Sequence, residues 1–189
     1  ASRKRAQDLI LAGAVKIDGV TVKKPSSPVN EAIEHTVEIE QVFAYVSRGG
    51  TKLQAALDAF GISVNRLKAV DVGASTGGFT DCLLRRGAAE VIAVDAGVGQ
   101  LHESLLRDER VRSVEHFNAR ELSVAVTGGE CDIAVADVSF ISQTYLIAPI
   151  ASVLKPGGIF VSLIKPQFEA GRSALGKNGV VHNSAYRFL

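Results

Sequence analysis

From Leu67 onward, short apolar runs return at intervals with helical patterns between them: "LKAVDVGA", "AEVIAVDAG", "VRSVE", "CDIAVADVS" and "GGIFVSLIK". Parallel strands need crossover connections, usually helical, so this alternation predicts an α/β domain with a mostly parallel sheet and helices on both faces. Sheets of this kind bind ligands beyond the carboxyl ends of their strands. The residues that close each run are therefore the first to read for function. Asp71, Asp95 and Asp137 stand at the ends of the first, second and fourth runs, and Lys165 follows the fifth. That fifth run reads as a buried strand over 159–164, with Pro166 directly after the lysine. An ammonium at the end of an apolar strand is costly without a partner. Asp137, at the same edge, would offset that cost, either as a structural ion pair or as part of a reactive group.

Lys52 favours the reactive reading. It opens a helix just before the first strand, in "SRGGTKL", where two glycines suggest that backbone or ligand comes close. Thr51 reads as that helix's cap. Two lysines beside one aspartate are expected to lower each other's pKa, and a lysine so tuned takes a proton from a weak acid such as a ribose hydroxyl. Phe140, three residues past Asp137, is a candidate for stacking on a base, with core packing as the plainer alternative.

The segment "VDVGASTGGFTDCLLRRG" joins the first strand to a helix. Gly73, Gly77 and Gly78 permit a tight turn and close backbone approach to a ligand. Their spacing is G-x-x-x-G-G, which is neither the usual dinucleotide fingerprint nor a Walker A loop. Asp95 is placed to accept hydrogen bonds from two ribose hydroxyls, with capping of Gly97 as the alternative. Both S-adenosylmethionine and NAD carry such a ribose. The missing middle glycine leaves less room for a pyrophosphate and favours S-adenosylmethionine. Asp71, Ser75 and Phe79 complete the turn's candidate contacts, and Phe79 also reads as core. Asn118, after the third strand, is a candidate neighbour of an adenine or a turn residue, and Gln100 in "GVGQL" a further cofactor contact.

The first 44 residues have a different character. A helix with Ala6, Leu9 and Ile10 on one face, capped by Ser2 and stopped by Gly13, precedes "VKIDGVTV", two strands around an Asp18-Gly19 hairpin turn. "HTVEIEQ" reads as a further strand. Residues 1–24 carry net charge +4 and residues 25–44 net −4. Arg3, Lys4 and Arg5 sit in the helix's first turn, where the macrodipole disfavours cations. That local cost points to an anionic partner, although a solvated face is the usual fate of a charge run. Lys16, Lys23, Lys24 and Arg48 extend the basic set.

The whole chain is close to neutral, with net charge +1 and 47% apolar residues. Any nucleic-acid footprint is thus local, and disorder is excluded. Cys82 and Cys131 lie inside apolar patterns, which fits a reducing cytoplasm better than a disulfide scaffold. No run is long enough to span a membrane. His102, His116 and His182 have no metal-ligand spacing with the cysteines, so no metal is expected, and no G-x-S-x-G supports an esterase. The chain begins at Ala1 and contains no methionine, as a piece of a longer protein would.

Two resemblances follow. "SRKRAQDLI" and "AGAVKIDGVTVKKPS" resemble the S4 RNA-binding module, which presents a small basic helix-and-hairpin surface to structured RNA. Over the rest, "YVSRGGTKLQAALD", "DVGASTGGFTDCLL", "AVDAGVGQL", "DVSFIS" and "LIKPQFEAG" resemble the TlyA (hemolysin A-like) family, which joins an S4 module to an FtsJ-type ribose 2′-O-methyltransferase domain. The resemblance implies an S4-like α+β domain at 1–42, a linker at 43–50 and a Rossmann-like methyltransferase domain at 51–189 that lacks its C-terminal strands. It also implies S-adenosylmethionine as cofactor, cytidine ribose in ribosomal RNA as substrate, and ribosomal RNA or ribosomal subunits as partners. FtsJ-type enzymes use a Lys-Asp-Lys-Glu tetrad. Lys52, Asp137 and Lys165 match its first three members, and the fourth has no match, because Glu169 lies inside the "KPQFE" motif itself. The competing readings are an RNA-binding protein with an inactive methyltransferase-like domain, a cytolysin as the hemolysin label suggests, and an NAD-dependent enzyme.

Overall fold

The computed structural model describes residues 3–30, 32–39, 44–170, 175, 176 and 181. Helix α1 (Arg3–Leu11) ends in a left-handed Gly13, with N–H bonds from Gly13 to the Ile10 carbonyl and from Ala14 to that of Leu9. These bonds satisfy carbonyls that a helix end would otherwise orphan. Strands β1 (Val15–Ile17) and β2 (Val20–Val22) form the expected hairpin, and Asp18 and Gly19 both have positive φ, as a type I′ turn requires. Strand β3 (Val37–Ile39) pairs antiparallel with β1 on its other side. The Asp18 carboxylate ties these pieces together: it accepts the Thr36 N–H at 2.9 Å and meets His35 Nδ1 at 2.6 Å. The expected cap Ser2 lies outside the described residues.

The second unit runs α2 (Gly49–Ala59), β4 (Lys68–Val72), α3 (Gly78–Arg85), β5 (Glu90–Val94), α4 (Glu103–Leu106), β6 (Val111–Val114), a 3-10 turn (Ala119–Glu121), α5 (Val124–Thr127), β7 (Cys131–Ala136), α6 (Thr144–Val153), β8 (Leu154–Ser162) and α7 (Pro166–Glu169). Among the described residues the sheet has five strands in the order β6-β5-β4-β7-β8, all parallel. Alternation along each strand splits the core in two. Ala69, Val91, Ile133 and Val135 face α2 and α3, where Leu53, Leu57 and Leu83 are buried. Val70, Val72, Ile92, Ala134 and Ala136 face α6, with Leu146, Ile150 and Val153. Both faces are thus dry, which is why the strands read as continuous apolar runs.

Three expectations need correction. The fifth strand was expected over 159–164. It begins at Leu154, is broken by a register shift that loops out Lys155–Gly158, resumes pairing at Ile159 and ends at Ser162. It is only partly buried, because it lies at the margin of the described sheet; Ile164 has already left the strand and is exposed. The helix carrying Lys52 starts at Gly49, so Thr51 lies inside it rather than capping it. Asp71 does not end its strand. It is the penultimate residue of β4, level with Ala93 and Val135, so it lies two residues short of the row that Asp95 and Asp137 hold and its side chain meets Thr80 of α3 instead of the open edge.

Candidate active site

The carboxyl ends of β4, β5 and β7 open into a cleft of about 1500 Å³. Asp137 follows β7 directly, and Lys165 lies three residues past β8, at the cap of α7. The two meet: Lys165 Nζ is 2.6 Å from Asp137 Oδ1. Lys52, from the first turn of α2, reaches the other oxygen at 3.8 Å. One carboxylate from the sheet is therefore shared by two ammonium groups arriving from different elements, and all three line the cleft.

Lys52 is delivered by a tightly fitted segment. The Val46 N–H donates to Asp81 Oδ2 at 2.8 Å, and Arg85 pairs with Asp81 Oδ1 at 2.7 Å while lying over the Tyr45 ring. A Cβ on Gly50 would overlap the Tyr45 ring, and one on Gly78 would overlap Ser47 Oγ. The glycines of "SRGG" and of the turn thus let protein approach protein. Gly77, at φ 91°, likewise makes room for Leu101 and Leu105, and a Cβ on Gly73 would stand 3.2 Å from the Asp137 carbonyl oxygen. Gly73 and Gly78 line the cleft, and what they offer there is backbone.

Asp95, one residue past β5, accepts the Ser75 N–H on Oδ2 and the Gly97 N–H on Oδ1, each at 2.7 Å. The capping alternative is realised. Each carboxylate oxygen keeps a second lone pair, and the side chain lines the cleft. Ser75 adopts a left-handed φ of 50°, and its hydroxyl donates to Gln100 Oε1 at 3.2 Å, so the turn and the "GVGQL" loop are laced together. Asn118 also lines the cleft, and its Oδ1 accepts the Arg120 N–H, as the turn reading expects. Phe79 is buried between the core and the cleft floor.

Asp71 is different. It is fully buried, lies outside the cleft lining, and accepts the Thr80 hydroxyl at 2.7 Å and the Thr80 N–H. It caps α3 from beneath the glycine turn, so it shapes the turn rather than facing a ligand. Its Oδ1 has no partner among the described residues. Burial pushes its pKa up to about 7 against the pull of the Thr80 bonds, with Asp137 and Asp95 adding to the rise.

Phe140 has a left-handed φ of 66°, is 92% exposed, and meets Phe168 at 5.2 Å between ring centroids, so the core alternative for it is overturned. Of the basic residues, Arg3, Lys23 and Lys24 are exposed, Arg48 is exposed and lines the cleft, and Lys16 is half-buried on β1. The side chains of Lys4 and Arg5 lie outside the described residues. Sequence reasoning missed Asp81, Ser139 and the partners of Glu169. An acid in the first turn of α3 with Arg85 four residues on was the one signal available for Asp81.

The sequence model of the FtsJ-like methyltransferase family matches residues 45–188, and that of the S4 domain matches residues 1–32. The chain belongs to the FtsJ-like methyltransferase family. It is 46% identical to the 16S/23S rRNA (cytidine-2′-O)-methyltransferase TlyA of Mycobacterium tuberculosis, over 98% of this chain and 69% of that protein. It is 44% identical to a protein named hemolysin A from Brachyspira hyodysenteriae, over 98% of this chain and 77% of the relative. Among solved structures, a putative hemolysin from Streptococcus thermophilus superposes with a TM-score of 0.78 at 43% identity, covering 98% of this chain and 68% of that one. No helix among the described residues is long and apolar enough to cross a membrane.

Proposed function

We propose that this protein transfers a methyl group from S-adenosylmethionine to the ribose 2′-hydroxyl of a cytidine in ribosomal RNA. The observation that carries the reading is Asp137 held between Lys165 and Lys52 on the cleft side of the sheet. A carboxylate that two cations share at the mouth of a cleft is poised for proton handling rather than for closing an edge.

The residues present fit the cofactor. Asp95 offers its remaining lone pairs to a ribose, Asn118 and Phe117 line the adjoining wall, and Gly73, Ser75 and Gly78 present the turn beside Asp137. S-adenosylmethionine, when bound, supplies an electrophilic methyl group on a sulfonium. The chain's own residues do the rest. Lys165, in its neutral form, takes the proton of the target hydroxyl as the O–C bond forms and the C–S bond breaks. Asp137 offsets the ammonium charge that results, at 2.6 Å. Lys52 holds the opposite carboxylate oxygen and fixes its plane. Holding hydroxyl and methyl in line removes much of the barrier.

Arg3, Lys4, Arg5, Lys16, Lys23, Lys24 and Arg48 supply the phosphate contacts that dock the RNA, and Phe140 offers its exposed ring to an unstacked base. The test is incubation of the protein with ribosomal subunits and S-adenosylmethionine labelled in the methyl group, followed by nuclease digestion. Label in a 2′-O-methylcytidine supports the reading. Label absent from ribosomal RNA while RNA and cofactor both bind would replace it with the inactive-domain alternative.

A further inference from the structure

The segment after β7, "SFISQ" (139–143), and the turn after β8, "KPQFE" (165–169), touch at three successive places. Lys165 Nζ donates to Ser139 Oγ at 2.8 Å. The Phe140 and Phe168 rings meet at 5.2 Å, tilted by 48°. Glu169 accepts the Ser142 hydroxyl on Oε2 at 2.6 Å and the Gln143 N–H on Oε1 at 3.0 Å. We propose that Ser139 and Glu169 are positioning residues for methyl transfer, which clasp these two segments together and so aim Lys165 at the target hydroxyl. This rests on the reading of Lys165 given above.

A lysine has four rotatable side-chain bonds, and an ion pair fixes its distance from a carboxylate better than its direction. Ser139 supplies the second point. Ser139 and Asp137 occupy two of the positions around Lys165 Nζ, so that in the neutral amine, with its two N–H groups directed at them, the lone pair is left for the target hydroxyl. Phe140, next to Ser139, holds a left-handed backbone, a conformation that is costly for a bulky residue and persists where surroundings impose it.

Glu169 is the part of the surroundings that acts at a distance. Its carboxylate sits at the start of α6, where Thr144 N–H also donates to Ser142 Oγ at 3.2 Å, so it caps that helix from another element. Capping fixes residues 142–143, and with them the path of the chain back through Phe140 to Ser139. This also explains a glutamate in the motif that does not match the fourth tetrad member: its oxygens are committed to α6.

The test compares the intact protein with Ser139→Ala, Ser139→Thr, Glu169→Ala and Lys165→Ala for thermal midpoint, KM for S-adenosylmethionine and kcat on ribosomal subunits. Ser139→Ala is expected to lower kcat about 10-fold with KM and midpoint unchanged, and Ser139→Thr to restore most of it. Glu169→Ala is expected to lower both kcat and the midpoint. Its loss of kcat should be smaller in the Ser139→Ala background, because both act through one lysine. Side-chain NMR of Lys165 gives a readout without turnover: its ammonium protons are expected to exchange with water faster in Ser139→Ala. A normal kcat in Ser139→Ala, with Lys165→Ala inactive, overturns the inference and leaves the methyltransferase reading standing. Full transfer by Lys165→Ala removes that reading's base and the inference with it.

Discussion

The two ends of the parallel sheet carry the same residue types and use them differently. At the amino ends, each charge closes on its own neighbours. Lys155 pairs with Asp132 at 2.6 Å, Asp132 also accepts the Lys68 N–H, and Lys68 Nζ donates to the Gly128 carbonyl and pairs with Glu90 at 3.3 Å. At the carboxyl ends, one carboxylate is shared by two lysines, a second accepts two backbone N–H groups, and all of them line the cleft. Partially exposed pairs of the first kind contribute about 0–1 kcal/mol each and serve as edge fittings. The second arrangement leaves charge unspent, facing a cavity. Finding Lys and Asp together is therefore uninformative; where their remaining valences point is what separates structure from chemistry.

The sharpest break in that comparison is Asp137→Ala. It removes the carboxylate that Lys52 and Lys165 share, and methyl transfer should fall by about 1000-fold while the fold persists. Asp132→Ala at the opposite end should alter the thermal midpoint and leave transfer alone. Next in size, Asp95→Ala should weaken S-adenosylmethionine binding by about 10- to 100-fold in a calorimetric titration, since it removes acceptors for a ribose and also frees the Ser75 and Gly97 N–H groups. An unchanged affinity would move the ribose away from β5. Phe140→Ala should weaken binding to ribosomal RNA by about 10-fold, with a smaller loss of stability from the Phe168 contact, because the ring's exposed face is the one it offers to a base.

The smallest effect concerns Asp71, the carboxylate at the carboxyl edge that turns inward. Below pH 3.8 it is protonated in both the folded and the unfolded chain. Between there and about 7 the unfolded chain releases the proton while the folded chain keeps it. The folded state then binds more protons, so stability falls as pH rises through that window and is level above it. Asp71→Asn keeps an acceptor for Thr80 and cannot ionise. It should flatten the stability profile between about pH 4 and pH 7, measured by urea denaturation across that range. An identical profile in the variant would show that Asp71 is not the group that titrates.

Much of this was legible in the sequence because it rests on local pattern. The five strands announced themselves by apolar runs, the Asp18-Gly19 hairpin by its dipeptide, and the shared aspartate by the positions of Lys52, Asp137 and Lys165 relative to strand ends. What failed depends on depth along a strand and on distant partners. Asp71 is level with Ala93 and Val135, two residues short of the row that Asp95 and Asp137 hold, and that depth buries it beneath α3. The start of β8 was hidden because "KPGG" loops out between two paired stretches, which no propensity favours within a strand. The place of Glu169 in the motif already set it apart from the fourth tetrad member, but its role stayed hidden because its partners, Ser142 and Gln143, lie 27 and 26 residues away. The protein neighbours that crowd the glycines, Tyr45 at Gly50, Ser47 at Gly78 and Leu105 at Gly77, were likewise out of reach of local pattern.

The most direct measurement sets Lys165→Ala beside Lys155→Ala, one from each end of the sheet, in the same methyl-transfer assay on ribosomal subunits with cofactor affinity measured in parallel. The account predicts that Lys165→Ala loses transfer by at least about 100-fold while binding S-adenosylmethionine as the parent does, and that Lys155→Ala transfers at the parent rate. Undiminished transfer by Lys165→Ala, or an equal loss in both variants, would contradict it.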